Sequence, residues 1–311
     1  MQSAGSGKIV VAHPERKAQR ALVRLVGATP LPVELVTDVD ALIKAVDGDT
    51  IAIVDAGIAR ANVGLCERPA RAWIAVPGEG LAPAEPAGID ALLSAGWSHV
   101  IAHPMPILAE ELLATVQKLI RGDTFGLEKY MTWGAEIRTY ALDDTRAREV
   151  AVNLMAKDII AVGLPDRISS MVSVIADELI SNAVYGAPVD ESGARFRATE
   201  ARDASRTLAD RDAVTVRWAT DGRYLAIEVR DRWGSIDPRA IGAKLAAGKQ
   251  NAAQSEGMGL PLAYACCNQL VIGVAPSQLT EMIALLDVRH KPTELARGAS
   301  FHAFIGTVGA P

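Results

Sequence analysis

Cysteine and aromatic residues are scarce in this sequence, and no apolar run is long. Each shortage excludes something. Only 3 cysteines occur in 311 residues, with Cys266 and Cys267 adjacent and Cys66 alone. That pattern gives no disulfide framework, and none of the cysteines has metal-site spacing to a histidine. No stretch approaches the ~18 apolar residues that a membrane helix needs. The opening MQSAGSGKIVVAHPE lacks the apolar core of a signal peptide. A net charge of −5 leaves no broad basic face for reading nucleic-acid phosphates. A cytoplasmic protein in a reducing compartment is expected, with neither membrane nor nucleic acid as partner.

What is present is aliphatic. Hydrophobic residues make up 50% of the chain and aromatics only 5%. The length suits about two domains. Residues 1–122 alternate between short Ile/Val-rich runs (KIVVAH, PVELVTD, TIAIVDAG, RAWIAVPG, HVIAHP) and helical stretches such as ERKAQRALVRLVG and PILAEELLATVQKLIRG. Runs without alternation read as strands buried on both faces. Strand–helix alternation predicts βαβ units and a doubly wound parallel sheet. ARANVGLCERPAR, between strands three and four, is too weakly periodic for a proper helix.

This layout resembles a response-regulator receiver domain, a flavodoxin-like α/β fold. Asp55, at the end of the third strand, stands where receivers carry their phosphoacceptor. The rest of the receiver chemistry is missing. Ala12, His13, Pro14 and Glu15 replace the acidic pair, Val76-Pro77-Gly78 lacks the hydroxyl, and His103-Pro104 replaces Lys-Pro. Without a metal and a cation, phosphoryl oxygens are not neutralised. The expectation is a pseudo-receiver with a structural Asp55, serving as a regulatory-protein docking or dimerisation face.

Residues 123–145 read as a mixed junction, and a helix is predicted from about 146 to 162. ADELISNAVYGAP (176–188) continues a helix whose stripe is Val172, Ile175, Leu179 and Ala183. Glu178 and Asn182 flank that stripe one turn apart, on one face. Alone, such a pair is an ordinary solvated helix edge. Residues 189–212 are polar and charge-mixed. AVTVRWA and YLAIEVRD read as strands joined by a turn at Thr220-Asp221-Gly222-Arg223. Then come DRWGSID (231–237), GMGL (257–260), LVIGVA, MIALLDV and GASF (298–301). The second half is expected to be α+β, an antiparallel sheet with helices on one side.

Glu178, Asn182, Asp231, GMGL and GASF, in this order, resemble the GHKL ATPase superfamily with its Bergerat nucleotide fold. Within it the chain is most similar to anti-sigma-factor serine/threonine kinases and histidine-kinase-like ATPase domains. The resemblance covers roughly residues 140–308, and the domain it implies is expected over residues 146–311. It implies ATP and Mg²⁺ as cofactors. Asn182 would hold the metal, and Glu178 would be the general base. Asp231, Gly234, Gly257, Gly259, Leu260 and Ser300 would contact the nucleotide, with Asp231 accepting from the adenine amino group and glycines admitting phosphate at a helix N-terminus. Residues 238–256 would be a mobile lid carrying Lys244 and Lys249.

Two departures stand out. The family's first glycine box is D-x-G-x-G, but here Trp233 and Ser235 occupy the glycine positions. Trp233 either stacks near a purine or fills the pocket. Tyr185-Gly186 stands where the family often has His or Lys. Two functions remain open: a Mg-ATP-dependent protein Ser/Thr kinase, as a possible homodimer, or a non-catalytic signalling adaptor. A histidine kinase fits less well, since no histidine lies between His103 and His290.

Overall fold

Continuous apolar strands build the first part of the chain. The computed structural model describes residues 7–202, 204–248, 259–289 and 298–308. In chain order the early elements are β1 (Ile9–Ala12), α1 (Arg16–Val26), β2 (Val33–Val36), α2 (Val39–Ala45), β3 (Ile51–Asp55), α3 (Ala56–Ala61), β4 (Ala72–Val76), α4 (Pro86–Ser94), β5 (His99–Val100) and α5 (Ile107–Arg121). The strands pair in parallel in the order β2-β1-β3-β4-β5. Ile9, Val11, Ile51, Ile53 and Ile74 are fully buried, and Leu22 of α1 and Leu108, Leu112 and Val116 of α5 pack with them. The weak stretch after β3 forms only the six-residue α3 and a 3-10 turn at Val63–Glu67.

Two compact units divide the chain: Met1–Thr124 with Arg239–Ala247 and Arg297–His302, and Phe125–Pro238 with Gly248–Ala296 and Ala303–Pro311. Both late segments of the first unit have a packing reason. Residues Phe301 and His302 pair antiparallel with Val100 and His99 of β5, covering the edge of its sheet. The helix Pro238–Gly248 buries Ile241, Leu245 and Ala246. A β-carbon at its Gly242 would lie only 3.4 Å from the Leu93 carbonyl of α4. This corrects one expectation. Residues 238–248 of the segment read as a lid are a packed helix, because their apolar positions recur at helical spacing. Residues 249–256, including Lys249, lie outside the described residues.

The later elements are β6 (Arg138–Leu142), α6 (Ala147–Ala161), α7 (Asp166–Ser181), β7 (Val214–Thr220), β8 (Tyr224–Asp231), α8 (the helix Pro238–Gly248), α9 (Gly259–Cys266), β9 (Gln269–Ala275), β10 (Leu279–Asp287) and β11 (Ser300–Ile305). In the second unit the strands run β9-β10-β8-β7-β6, every neighbouring pair antiparallel. The hairpin at 221–223 forms as the sequence predicts. Asp221 accepts from the Arg223 and Tyr224 N–H groups, and Gly222 supplies the positive φ of +81°. α6 packs on α7, and α7 on α9 and β8.

β6 was not expected. It lies in the stretch read as a junction because, as an edge strand, it buries only Leu142. The turn before it is fastened to the sheet. Glu281 accepts from the Gly126 N–H and Glu228 from the Leu127 N–H, both at 2.8 Å. Both glutamates are fully buried and are paired with Arg230, and Glu228 also with Arg217. Burial pushes the Glu228 carboxyl up to about 7. Among the described residues no helix is long and apolar enough to cross a membrane.

Candidate functional site

α7 delivers the predicted pair. Val172, Ile175, Leu179 and Ala183 are buried, which fixes the helix rotation and leaves Glu178 and Asn182 partly exposed on its flank. The helix then widens into a π turn at Asn182–Gly186. Such turns recur at functional sites. The Asn182 carboxamide donates through Nδ2 to the Glu178 carbonyl at 2.8 Å. That bond fixes the side chain and leaves Oδ1 as the free acceptor, the atom a hard cation would take.

Gly259, the first residue of α9, lies directly against the Glu178 carboxylate. A β-carbon there would sit 1.7 Å from Oε2, closer than any atom can stand. Thus α7–α9 packing joins two motif pieces that are far apart in sequence. Leu260 is buried on the same helix. Gly257 lies outside the described residues.

Asp231 ends β8 with 4% exposure. Its Oδ1 accepts from the Trp233 N–H at 2.8 Å. Burial pushes its carboxyl up to about 6, against the opposing effect of that N–H. Gly234 has φ +57°, and a β-carbon on it would strike the Ala275 carbonyl at 2.1 Å. Its own carbonyl accepts from the Ser277 N–H. Gly234 is therefore a close-approach position against the β9–β10 turn. The Ser235 hydroxyl donates to the Ala187 carbonyl at 2.5 Å, tying this loop to the end of the α7 motif.

Trp233 is buried at 8% exposure by the polar segment 189–212. The Arg211 guanidinium lies 4.3 Å above its ring, and Phe196 meets it edge-to-face at 6.0 Å. The segment is held at other points too. Arg197 is buried and pairs with Asp212 at 2.5 Å. The Tyr185 hydroxyl donates to the Arg202 carbonyl. Most of segment 189–212 is solvent-exposed, as its polar composition implies, and these few contacts pin it as a strap across the Trp233 loop and the π turn.

Ser300 belongs to the first unit, whereas Asp231 belongs to the second. Its hydroxyl accepts from the Ala102 N–H at 2.8 Å, and it also bonds the buried Glu111. His302 nearby pairs with Glu111 at 2.7 Å. Burial drives His302 down to about 3 and Glu111 up to about 7. Lys244 lies exposed on α8.

Asp55 is buried and caps α3 by accepting from the Ile58 N–H at 2.9 Å. His13 Nε2 stands 3.7 Å from its other oxygen. Among the described residues no group of three or more His, Cys, Asp or Glu side chains is placed to hold a metal ion.

Two residues near the motif escaped sequence reading. Thr280 lies directly opposite Asp231 in the β8–β10 ladder, a neighbour that only register reveals. Arg195 reaches Gly186 from the strap, with its Nη1 3.7 Å from the β-carbon position there. One arginine in a charge-mixed stretch carries no signal of its own. Comparison with protein-family models and with curated protein sequences gave no match.

Proposed function

We propose that this is a cytoplasmic signalling protein whose second unit binds Mg-ATP in the manner of GHKL ATPases and transfers phosphoryl groups to Ser or Thr of a protein partner. One observation carries the reading: Gly259 against Glu178 of α7, with Asn182 one turn further along at the start of the π turn. The chemistry of the residues fits the group. Asn182 Oδ1 is a hard oxygen donor, Glu178 is a partly exposed carboxylate, and Asp231 is a buried acceptor at a strand end. Magnesium would neutralise polyphosphate charge when bound. Glu178 would accept the proton of the attacking hydroxyl, and Asn182 would orient the metal.

The first unit supports a receiver-like docking role. Its parallel order 2-1-3-4-5 is that of flavodoxin-like folds. Asp55 is engaged as a helix cap beside His13, which suits structure rather than phosphate acceptance.

Trp233 favours a second reading. It fills the first glycine-box position under Arg211 and Phe196, as expected of an adaptor whose nucleotide pocket has closed. Thermal unfolding of the full chain separates the two. A ligand of the native state raises the unfolding temperature by mass action. The kinase reading expects a rise with Mg-ATP that EDTA abolishes. No rise at millimolar Mg-ATP leaves the adaptor.

A further inference from the structure

Five arginines lie on the strap: Arg195, Arg197, Arg202, Arg206 and Arg211. Four have partners. Arg197 pairs with Asp212 at 2.5 Å and Arg206 with Glu200 at 2.8 Å. Arg202 lies 5.8 Å over the Tyr185 ring, and Arg211 4.3 Å over Trp233. Arg195 differs. It is exposed, and among the described residues its guanidinium has no ion pair, hydrogen bond or ring contact.

Its position is specific. Arg195 Nη1 is 3.7 Å, and Asn182 Oδ1 3.6 Å, from the place a β-carbon would occupy on Gly186. Both atoms therefore lie within ordinary contact range of one point beside the Gly186 backbone. A guanidinium fork and a carboxamide oxygen thus flank one gap. An anion satisfies the first, and a hard cation satisfies the second. A polyphosphate carrying a divalent metal satisfies both at once. The neighbouring sequence lacks the usual cation, with Tyr185 and Gly186 in its place.

We propose that Arg195 is the group that selects a nucleoside triphosphate over a diphosphate, contacting the terminal phosphate beside the metal held by Asn182. This rests on the nucleotide-binding reading above.

Calorimetry on the full chain tests it, with Mg-ATP and Mg-ADP titrated into wild type, Arg195→Ala, Arg195→Lys and Arg206→Ala. The expected result is a loss of about ten- to a hundredfold in ATP affinity for Arg195→Ala, the size of a charge-assisted contact. ADP affinity should change less than about threefold. Lysine should restore part of the loss, and Arg206→Ala should change neither affinity. Wild-type ATP binding that Arg195→Ala leaves intact, or weakens equally for ATP and ADP, overturns the inference and spares the nucleotide site. A wild type that binds neither nucleotide overturns both.

Discussion

The Glu178 carboxylate of α7 rests on Gly259, with no room between them for a single methyl group. The crowding falls on the tip of a flexible side chain and not on backbone. Gly259→Ala is therefore expected to leave stability within about 1 kcal/mol of wild type, since alanine also favours the helix. It should displace the carboxylate and lower any phosphoryl-transfer rate by tenfold or more. Chemical denaturation beside a rate measurement checks both halves. A large stability loss would mean that Glu178 cannot move aside.

Gly234 makes the opposite case. The atoms a β-carbon would meet there are backbone: the Ala275 carbonyl and the N–H groups of Ser277 and Gln278. Its φ of +57° adds conformational strain for any other residue. Gly234→Ala is predicted to cost about 2–4 kcal/mol, read as a lower denaturant midpoint with little change in slope. A near-neutral result would show that the β9–β10 turn yields easily.

Asp231 gives a pH signature. Burial raises its carboxyl from the ordinary aspartate value of 3.8 to about 6. The folded state thus holds the proton more tightly than the unfolded chain does. The resulting stabilisation is complete below about pH 4 and is lost as pH rises through about 6. That difference corresponds to at most about 3 kcal/mol. Asp231→Asn removes the titration, so the stability difference between variant and wild type should grow in the variant's favour from pH 4 to 7. A flat difference would contradict the burial argument.

Trp233 holds the strap through Phe196 and Arg211. Trp233→Ala should cost about 3 kcal/mol and speed tryptic cleavage after Arg195, Arg202 and Arg211. Unchanged cleavage would place the strap's anchorage at Arg197–Asp212 instead.

Much of the first unit was legible in the sequence, because β1, β4 and β3 up to Asp55 are apolar runs buried on both faces; β2 departs from that expectation, since as the outer strand of its sheet it leaves Glu34 and Leu35 exposed, and β5 is only His99-Val100. The α7 stripe was legible from its apolar spacing. β6 was not, since an edge strand exposing most of its side chains has no burial pattern to read. α8 carries its apolar positions Ile241 and Leu245 one turn apart, a signal the sequence does hold, but the Ala, Gly and Lys around them suit a loop as well as a helix. At the candidate site Glu178 and Gly259 come together as two motif pieces, whereas Ser300 is engaged with Ala102 and Glu111 in the first unit. Thr280 was hidden because cross-strand register, which sets its place opposite Asp231, leaves no local mark in a hydrophobic strand.

Magnesium-dependent nucleotide binding at Asn182 is the central claim. Calorimetric titration of ATP into wild type and Asn182→Ala, each with magnesium and with EDTA, tests it most directly. The account predicts binding by wild type only with magnesium, and a loss of tenfold or more in the variant. Binding that survives unchanged in Asn182→Ala, or no binding by wild type at millimolar ATP, would contradict it.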